Sequence, residues 1–188
     1  MKEKGIFKVT TRTIVAAGLG AALFTLLFMF VKIPSPVPET SFQTAYGLSA
    51  FFGVLFGPIT AGLMAFIGHA LSDAVQYGSP WWSWVIASGV ASFIYGLAYK
   101  RSNIEEGEFK WKDILTFNII QIIGNIIAWL GVAPILDILI YAEPANLVFT
   151  QGAVACLMNC IAAGVIGTLL LIAYAATRTK KGSLSKKS

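Results

Sequence analysis

Apolar residues run along this chain in blocks of roughly the 20 positions that an α-helix needs to cross a bilayer, broken by short polar or proline-bearing stretches. The blocks do not alternate with period two, which argues against an outer-membrane barrel. They predict six helices, over about 13–31, 41–56, 59–76, 81–99, 114–133 and 146–176. The second is short for a full crossing, so it and the third form either two crossings or a re-entrant hairpin across 43–76; the sidedness of everything else is the same either way.

The breaks are readable residue by residue. Pro34, Pro36 and Pro38 alternate with other residues, which predicts an extended, stiff linker. Thr40 and Gln43 have the spacing of a capping box for the second helix, and Gly57-Pro58 ends it. Tyr77-Gly78-Ser79-Pro80 is a turn signal. A charged loop with Glu105, Glu106, Glu108, Lys110 and Lys112 follows the fourth segment, Asp113 is a candidate N-cap, and Ala133-Pro134 closes the fifth segment ahead of a loop holding Asp137, Tyr141, Glu143 and Pro144. No internal repeat is present.

Composition narrows the class. Of 188 residues, 56% are hydrophobic and 12% charged, and a soluble domain of this length cannot hide so much apolar surface. The first block is too long for a signal-peptide core and lacks a small-residue cleavage site. The reading is therefore one integral-membrane domain, 1–188, with a basic N-terminus (1–12) and a basic tail (177–188). Nearly all Lys and Arg fall in those termini and in the loop after the fourth segment, whereas the proline linker, the Tyr77–Pro80 turn and the Asp137–Glu143 loop share only Lys32. By the positive-inside rule this is an all-α polytopic protein of the cell membrane with six transmembrane helices and both termini cytoplasmic.

Candidate chemistry then gathers at the outer face. His69, Ser72, Asp73 and Gln76 fall at i, i+3, i+4 and i+7, one stripe of a helix, just ahead of Trp81, Trp82 and Trp84. Titratable groups cost about 2.5–3.5 kcal/mol each inside a bilayer on insertion scales, so they face a cavity or a partner. Asn118, Gln121, Asn125 and Trp129 share a face of the fifth helix, and Gln151, Ala155 and Asn159 a face of the sixth. These stripes predict one pocket for a polar heterocycle, lined by His69, Asp73, Gln76, Trp82 or Trp84, Asn125, Trp129, Gln151 and Asn159. Alternatives remain for several of them: a proton relay through Asp73 and His69, Asp73 simply orienting His69, or tryptophans as an interfacial belt. Two ligands at i, i+4 with no second histidine make a metal site weak. Cys156 and Cys160 read as small buried thiols at a helix interface. Ala17 and Ala21, with Ala16–Gly20 and Gly18–Ala22 beside them, flatten a face of the first helix, for packing within the chain or for docking a separate subunit. No nucleophile triad, phosphate-binding loop or metalloprotease helix is present, so no enzyme activity, cofactor or nucleic-acid partner is expected.

The stretches GHALSDAVQYGSPWWSWVIASG, DILIYAEPANLVFTQG and ATRTKKGSLSKK, with the small-residue run and the proline-rich first outer loop, resemble the S components of energy-coupling factor (ECF) vitamin transporters. More specifically they resemble a family of uncharacterised proteins grouped with the riboflavin-type S components. The resemblance implies a membrane-embedded subunit that captures a micronutrient (riboflavin, pyridoxine or a thiamine precursor) at the outer face, then topples on meeting a transmembrane coupling subunit with two ATPase subunits. It implies that Ala17 and Ala21 dock the coupling subunit and that Ile33 to Thr40 act as a lid. Two other readings remain: a stand-alone proton-coupled carrier using Asp73 and His69, and a membrane scaffold.

Overall fold

Thr10 starts the first helix: its hydroxyl accepts from the Thr13 amide at 3.2 Å while the Thr13 hydroxyl accepts from the Thr10 amide at 3.2 Å. The helix that follows, α1 (Thr11–Phe30), turns Ala16, Ala17, Gly20, Ala21, Phe24 and Phe28 inward and leaves Ile14, Leu19, Leu23 and Leu26 on the outside. The computed structural model describes residue 7, residues 9–101 and residues 103–178. Lys2, Lys4 and Lys8 of the predicted basic N-terminus and residues 179–188 of the predicted tail lie outside them.

The proline linker is not a free extended strap. Lys32–Pro34 (β1) and Ser41–Gln43 (β2) pair antiparallel, with Lys32 opposite Gln43. Thr40 therefore does not cap the second helix: its hydroxyl donates to Val37 O at 2.7 Å and meets the Ser35 hydroxyl, fastening the hairpin loop. With 41–43 taken by the strand, α2 (Ala45–Phe56) starts four residues later than a Thr40 cap implies and has no side-chain cap. Prolines fit here because an edge strand of two has an unpaired side.

Gly57, at φ 93°, turns the chain straight into α3 (Pro58–Tyr77). Next come α4 (Trp82–Tyr95, with helical geometry continuing to Tyr99), α5 (Trp111–Tyr141) and α6 (Ala145–Thr177). Asp113 is three residues inside α5, accepting from the Lys110 amide at 2.8 Å, so the helix starts before it rather than at it. The expected end of α5 at Pro134 is also wrong. Hydrogen bonding widens to i→i+5 over Ile126–Val132, which absorbs the amide that proline lacks, and the helix runs on to Tyr141. Asp137 is consequently inside a helix, not in a loop. A second such widening, Ala162–Gly167, interrupts α6.

Five helices are long and apolar enough to cross a membrane; α2, at 12 residues, is shorter and runs through the middle of the bundle with most of its side chains buried. The chain is a multi-pass helical membrane protein. Contacts fix the helix directions. Gly20 meets Met64 and Phe24 meets Gly68, so α1 and α3 are parallel. Gly62 meets Phe93 while Asp73 bonds Trp81, so α3 and α4 are antiparallel, as are α4 and α5 through Tyr95–Asn125 and Trp84–Asp137. The start of α1, the 103–110 loop and the end of α6 thus share one end, joined by Arg12–Glu105 at 3.5 Å and Arg178 Nε to Glu105 O at 3.4 Å. The hairpin, the 78–81 turn and the 142–144 turn share the other, called here the hairpin end.

Ala16, Ala17, Gly20 and Ala21 of α1 go to packing within the chain, while Gly18 and Ala22 stay exposed. Ala17 and Ala21 are buried, Ala21 to 3% exposure, and a Cβ added to Gly68 would stand 2.9 Å from Ala21 O. Such close approach replaces side chains with backbone and brings the Thr25 hydroxyl to Gly68 O at 3.0 Å. Gly68→Val should accordingly destabilise the bundle by about 1–3 kcal/mol through overpacking. A lowered midpoint of thermal unfolding in detergent checks this, and the exposed Gly78→Ala, at φ 84°, is the comparison for backbone strain without a clash.

Candidate functional site

At the hairpin end the polar side chains of α3, α4 and α5 satisfy one another. Helix α4 has no cap of its own, so its leading amides take acceptors from neighbours: Trp81 N donates to Asp73 Oδ2 at 3.0 Å and Trp82 N to Tyr141 OH at 3.0 Å. Asp137, 1% exposed, receives Trp81 Nε1 at 2.7 Å, the Ser83 hydroxyl, and Trp84 Nε1 at 2.6 Å. The Trp81 ring stacks on Tyr141 at 4.2 Å. One carboxylate on α5 and one on α3 therefore hold the first turn of α4.

Below this lies a second set. His69 Nδ1 is 2.6 Å from the Ser88 hydroxyl, which is 2.7 Å from Tyr46 OH; His69 Nε2 is 3.4 Å from Asp73 Oδ1. Phe28 lies 4.3 Å from the imidazole. The Tyr46 and Trp129 rings meet edge to face at 5.5 Å, and Trp84 lies 5.4 Å from Trp129. Gly152 lets α6 in against this floor, since a Cβ there would be 2.2 Å from Trp129 O. The hairpin covers the set and is tied down at two points: Lys32 Nζ donates to Gln76 Oε1 at 3.0 Å and Gln151 Nε2 to Pro38 O at 3.2 Å.

The residues expected to line a single pocket divide by depth. His69, Asp73, Trp84 and Trp129 come together around Tyr46 and Ser88. Gln76 and Gln151 hold the hairpin rather than face inward. Trp82 is 45% exposed with its ring 6.1 Å from Phe66, on the outside of the bundle. Asn125 is deeper and fully engaged: its Oδ1 accepts from Tyr95 OH at 2.8 Å and Trp129 Nε1 at 2.9 Å, and its Nδ2 donates to Gln121 O and Oε1, each at 2.9 Å. Asn159 is 2% exposed, and its Oδ1 has no partner. Asp137, Ser83, Ser88, Tyr46 and Tyr141 have no place in that expected lining, and Trp81 figures in the sequence only as part of the tryptophan cluster. The signal for Asp137 was in the chain, a lone acid in an apolar run, but reading Pro134 as a terminator placed it in a loop.

Cys156 and Cys160 are free thiols in α6. Among the described residues no group of three His, Cys, Asp or Glu is arranged to hold a metal. A groove of about 520 Å³ opens sideways between α5 and α6, lined by Asn118, Gln121, Cys160, Gly164 and Thr168; it is deeper than the hairpin-end residues and separate from them.

The family model for the S component of ECF-type riboflavin transporters matches residues 8–176. The chain belongs to this S-component family. A UPF0397 protein of Exiguobacterium sp. is 56% identical over 179 residues, covering 95% of this chain and 98% of the relative. A UPF0397 protein of Enterococcus faecalis is 52% identical over 186 residues, covering 99% and 100%. The crystal structure of FolT bound with folic acid superimposes with a TM-score of 0.59 at 14% identity, covering 85% of this chain and 95% of FolT, a likeness of fold. Family and fold are those of transporter S components, not of enzymes.

The geometry of this S component makes Asp137 the acceptor on which the start of α4 rests. Removing it leaves the indole N–H groups of Trp81 and Trp84 and the buried Ser83 hydroxyl without their acceptor, at a cost of about 1–3 kcal/mol for a buried group. Asp137→Ala should lower the unfolding midpoint and shift tryptophan emission to the red as Trp81 and Trp84 loosen, whereas Trp82→Phe should leave the midpoint within error.

Proposed function

We propose that this chain is the substrate-capture subunit of an ECF importer in the bacterial cell membrane, taking a small vitamin-like nutrient at the hairpin end and delivering it with a coupling subunit and two ATPases. The observation that carries the reading is the hairpin-end arrangement in a chain of this family: a buried His–Asp–Ser–Tyr set and a tryptophan floor beneath a cover joined to the bundle by few hydrogen bonds. Polar groups this deep are costly against lipid and concentrate where solutes are handled. Ile33 to Thr40, the tip of that cover, is the lid, and its opening breaks the Gln151–Pro38 bond.

Docking on the coupling subunit would use the outward side of α1. There Gly18 has nothing within 4 Å and leaves backbone open beside Ile14 and Leu19, while Ala17 and Ala21, on the inner side, set the spacing to α3. Bulk at Ala21 should thus impair folding, and bulk at Gly18 (Gly18→Leu) should block uptake with folding kept.

Two measurements test the proposal. The first is uptake into proteoliposomes: the full chain with its coupling subunit and ATPases should transport its nutrient on ATP, and the chain alone should not. Transport by the chain alone under a proton gradient would replace this reading with the stand-alone carrier using Asp73 and His69. The second is orientation. After Cys156 and Cys160 are replaced, Ser35→Cys should react with an impermeant thiol reagent from outside intact cells and Gly107→Cys should not; the reverse pattern overturns an outward-facing capture site.

A further inference from the structure

The hydrogen-bonding capacity left over at the hairpin end is of one kind. Among the described residues, two buried side-chain atoms have no partner, Gln43 Oε1 and Asn159 Oδ1, and both are oxygens. Gln43, 8% exposed, is the buried member of β2 and lies three residues before Tyr46. Asn159 falls on α6 between Gly152, which packs on Trp129, and Ala162, whose carbonyl faces Gly47 of α2 next to Tyr46, and it shares with both the buried face of that helix. Neither oxygen can donate a hydrogen bond; each requires a donor.

Charge points the same way. Asp137 is buried with three neutral donors, and among the described residues neither it nor Asp73 pairs with lysine or arginine. Segments 31–44, 69–85 and 133–150, which build this end, hold Glu39, Asp73, Asp137 and Glu143 against Lys32, although the whole chain is +5. Lys32 is spent on Gln76, and the single histidine faces Asp73. Excess negative charge at this low-dielectric end of the bundle raises the local concentration of cations, and the aromatic cluster of Tyr46, Trp84 and Trp129 attracts a cation further.

Resting on the capture reading above, we infer that the nutrient is a nitrogen-bearing aromatic cation or amine rich in N–H donors, not a carboxylate or a phosphate ester. Its ring lies on the Trp84–Trp129 floor, its N–H groups are shared between Gln43 and Asn159, and its charge faces Asp137.

Three probes of one shape separate the cases: benzamidinium, benzamide and benzoate, titrated into the detergent-purified full chain and read by tryptophan fluorescence and calorimetry. Benzamidinium should bind about tenfold or more tighter than benzamide, with benzoate weakest, the margin expected for one charge-assisted contact. Gln43→Met should weaken benzamidinium about tenfold with the unfolding midpoint kept, because that oxygen bonds nothing in the chain. Asp137→Asn should bring benzamidinium and benzamide together; if that variant does not fold, the wild-type series and Gln43→Met decide. Equal binding of the three, a preference for benzoate, or no binding of benzamidinium at millimolar concentration overturns the inference. ATP-driven uptake of an anionic or neutral nutrient by the assembled transporter, found alongside, would show the capture reading intact and only the ligand class wrong.

Discussion

Within a bilayer a buried polar group has no water to fall back on, and this structure answers by making each helix satisfy its neighbour's. The Asp137 carboxylate is the centre of that exchange. It takes the indole N–H groups of Trp81 and Trp84 and the Ser83 hydroxyl, while Asp73 and Tyr141 take the two leading amides of α4. A helix start with no cap of its own is thereby positioned by α3 and α5 together. The tryptophan floor, the imidazole above Ser88 and the seat of the hairpin all follow from where that first turn stands.

The cover and the floor differ in how firmly they are held. The floor is aromatic, interlocked through Tyr46, Trp84 and Trp129, and closed from behind by Gly152. The hairpin is two three-residue strands with hydrogen bonds from Lys32 to Gln76, from Gln151 to Pro38 and from the Thr44 hydroxyl to Val31 O at 2.7 Å. A two-stranded hairpin is marginal by itself, so its closed position depends on those few bonds, and local opening there costs far less than parting the helices. A firmly held floor under a loosely held cover suits the solute capture proposed for this end.

Deeper in the bundle, amides do the joining. Asn125 binds Tyr95, Trp129 and Gln121, and Gln121 reaches Cys160 O at 3.3 Å, which ties α4, α5 and α6 across the level where α5 widens its hydrogen bonding. Asn125 reads from sequence as pocket lining because a polar stripe on an apolar helix looks the same whether it faces a ligand or another helix. Its bonds within the chain give it a structural role first.

The sequence by itself determined that the chain is helical and membrane-embedded, how many helices it has, and that the first helix starts at the end where the last one finishes, because hydrophobic length and the placement of Lys and Arg are local quantities. It also put His69 and Asp73 on one face of α3, since a spacing of four residues sets which face of a helix they share. Tertiary structure decided the rest. Whether Thr40 caps a helix or fastens a hairpin depends on strand pairing with Lys32–Pro34. Whether Pro134 ends α5 depends on the backbone widening before it, and that alone moves Asp137 from a loop into the core. Whether Ala17 and Ala21 meet another subunit or α3 depends on which helix arrives at that face. In each case the residue's own preference allows both outcomes, and a partner remote in sequence supplies the energy that selects one.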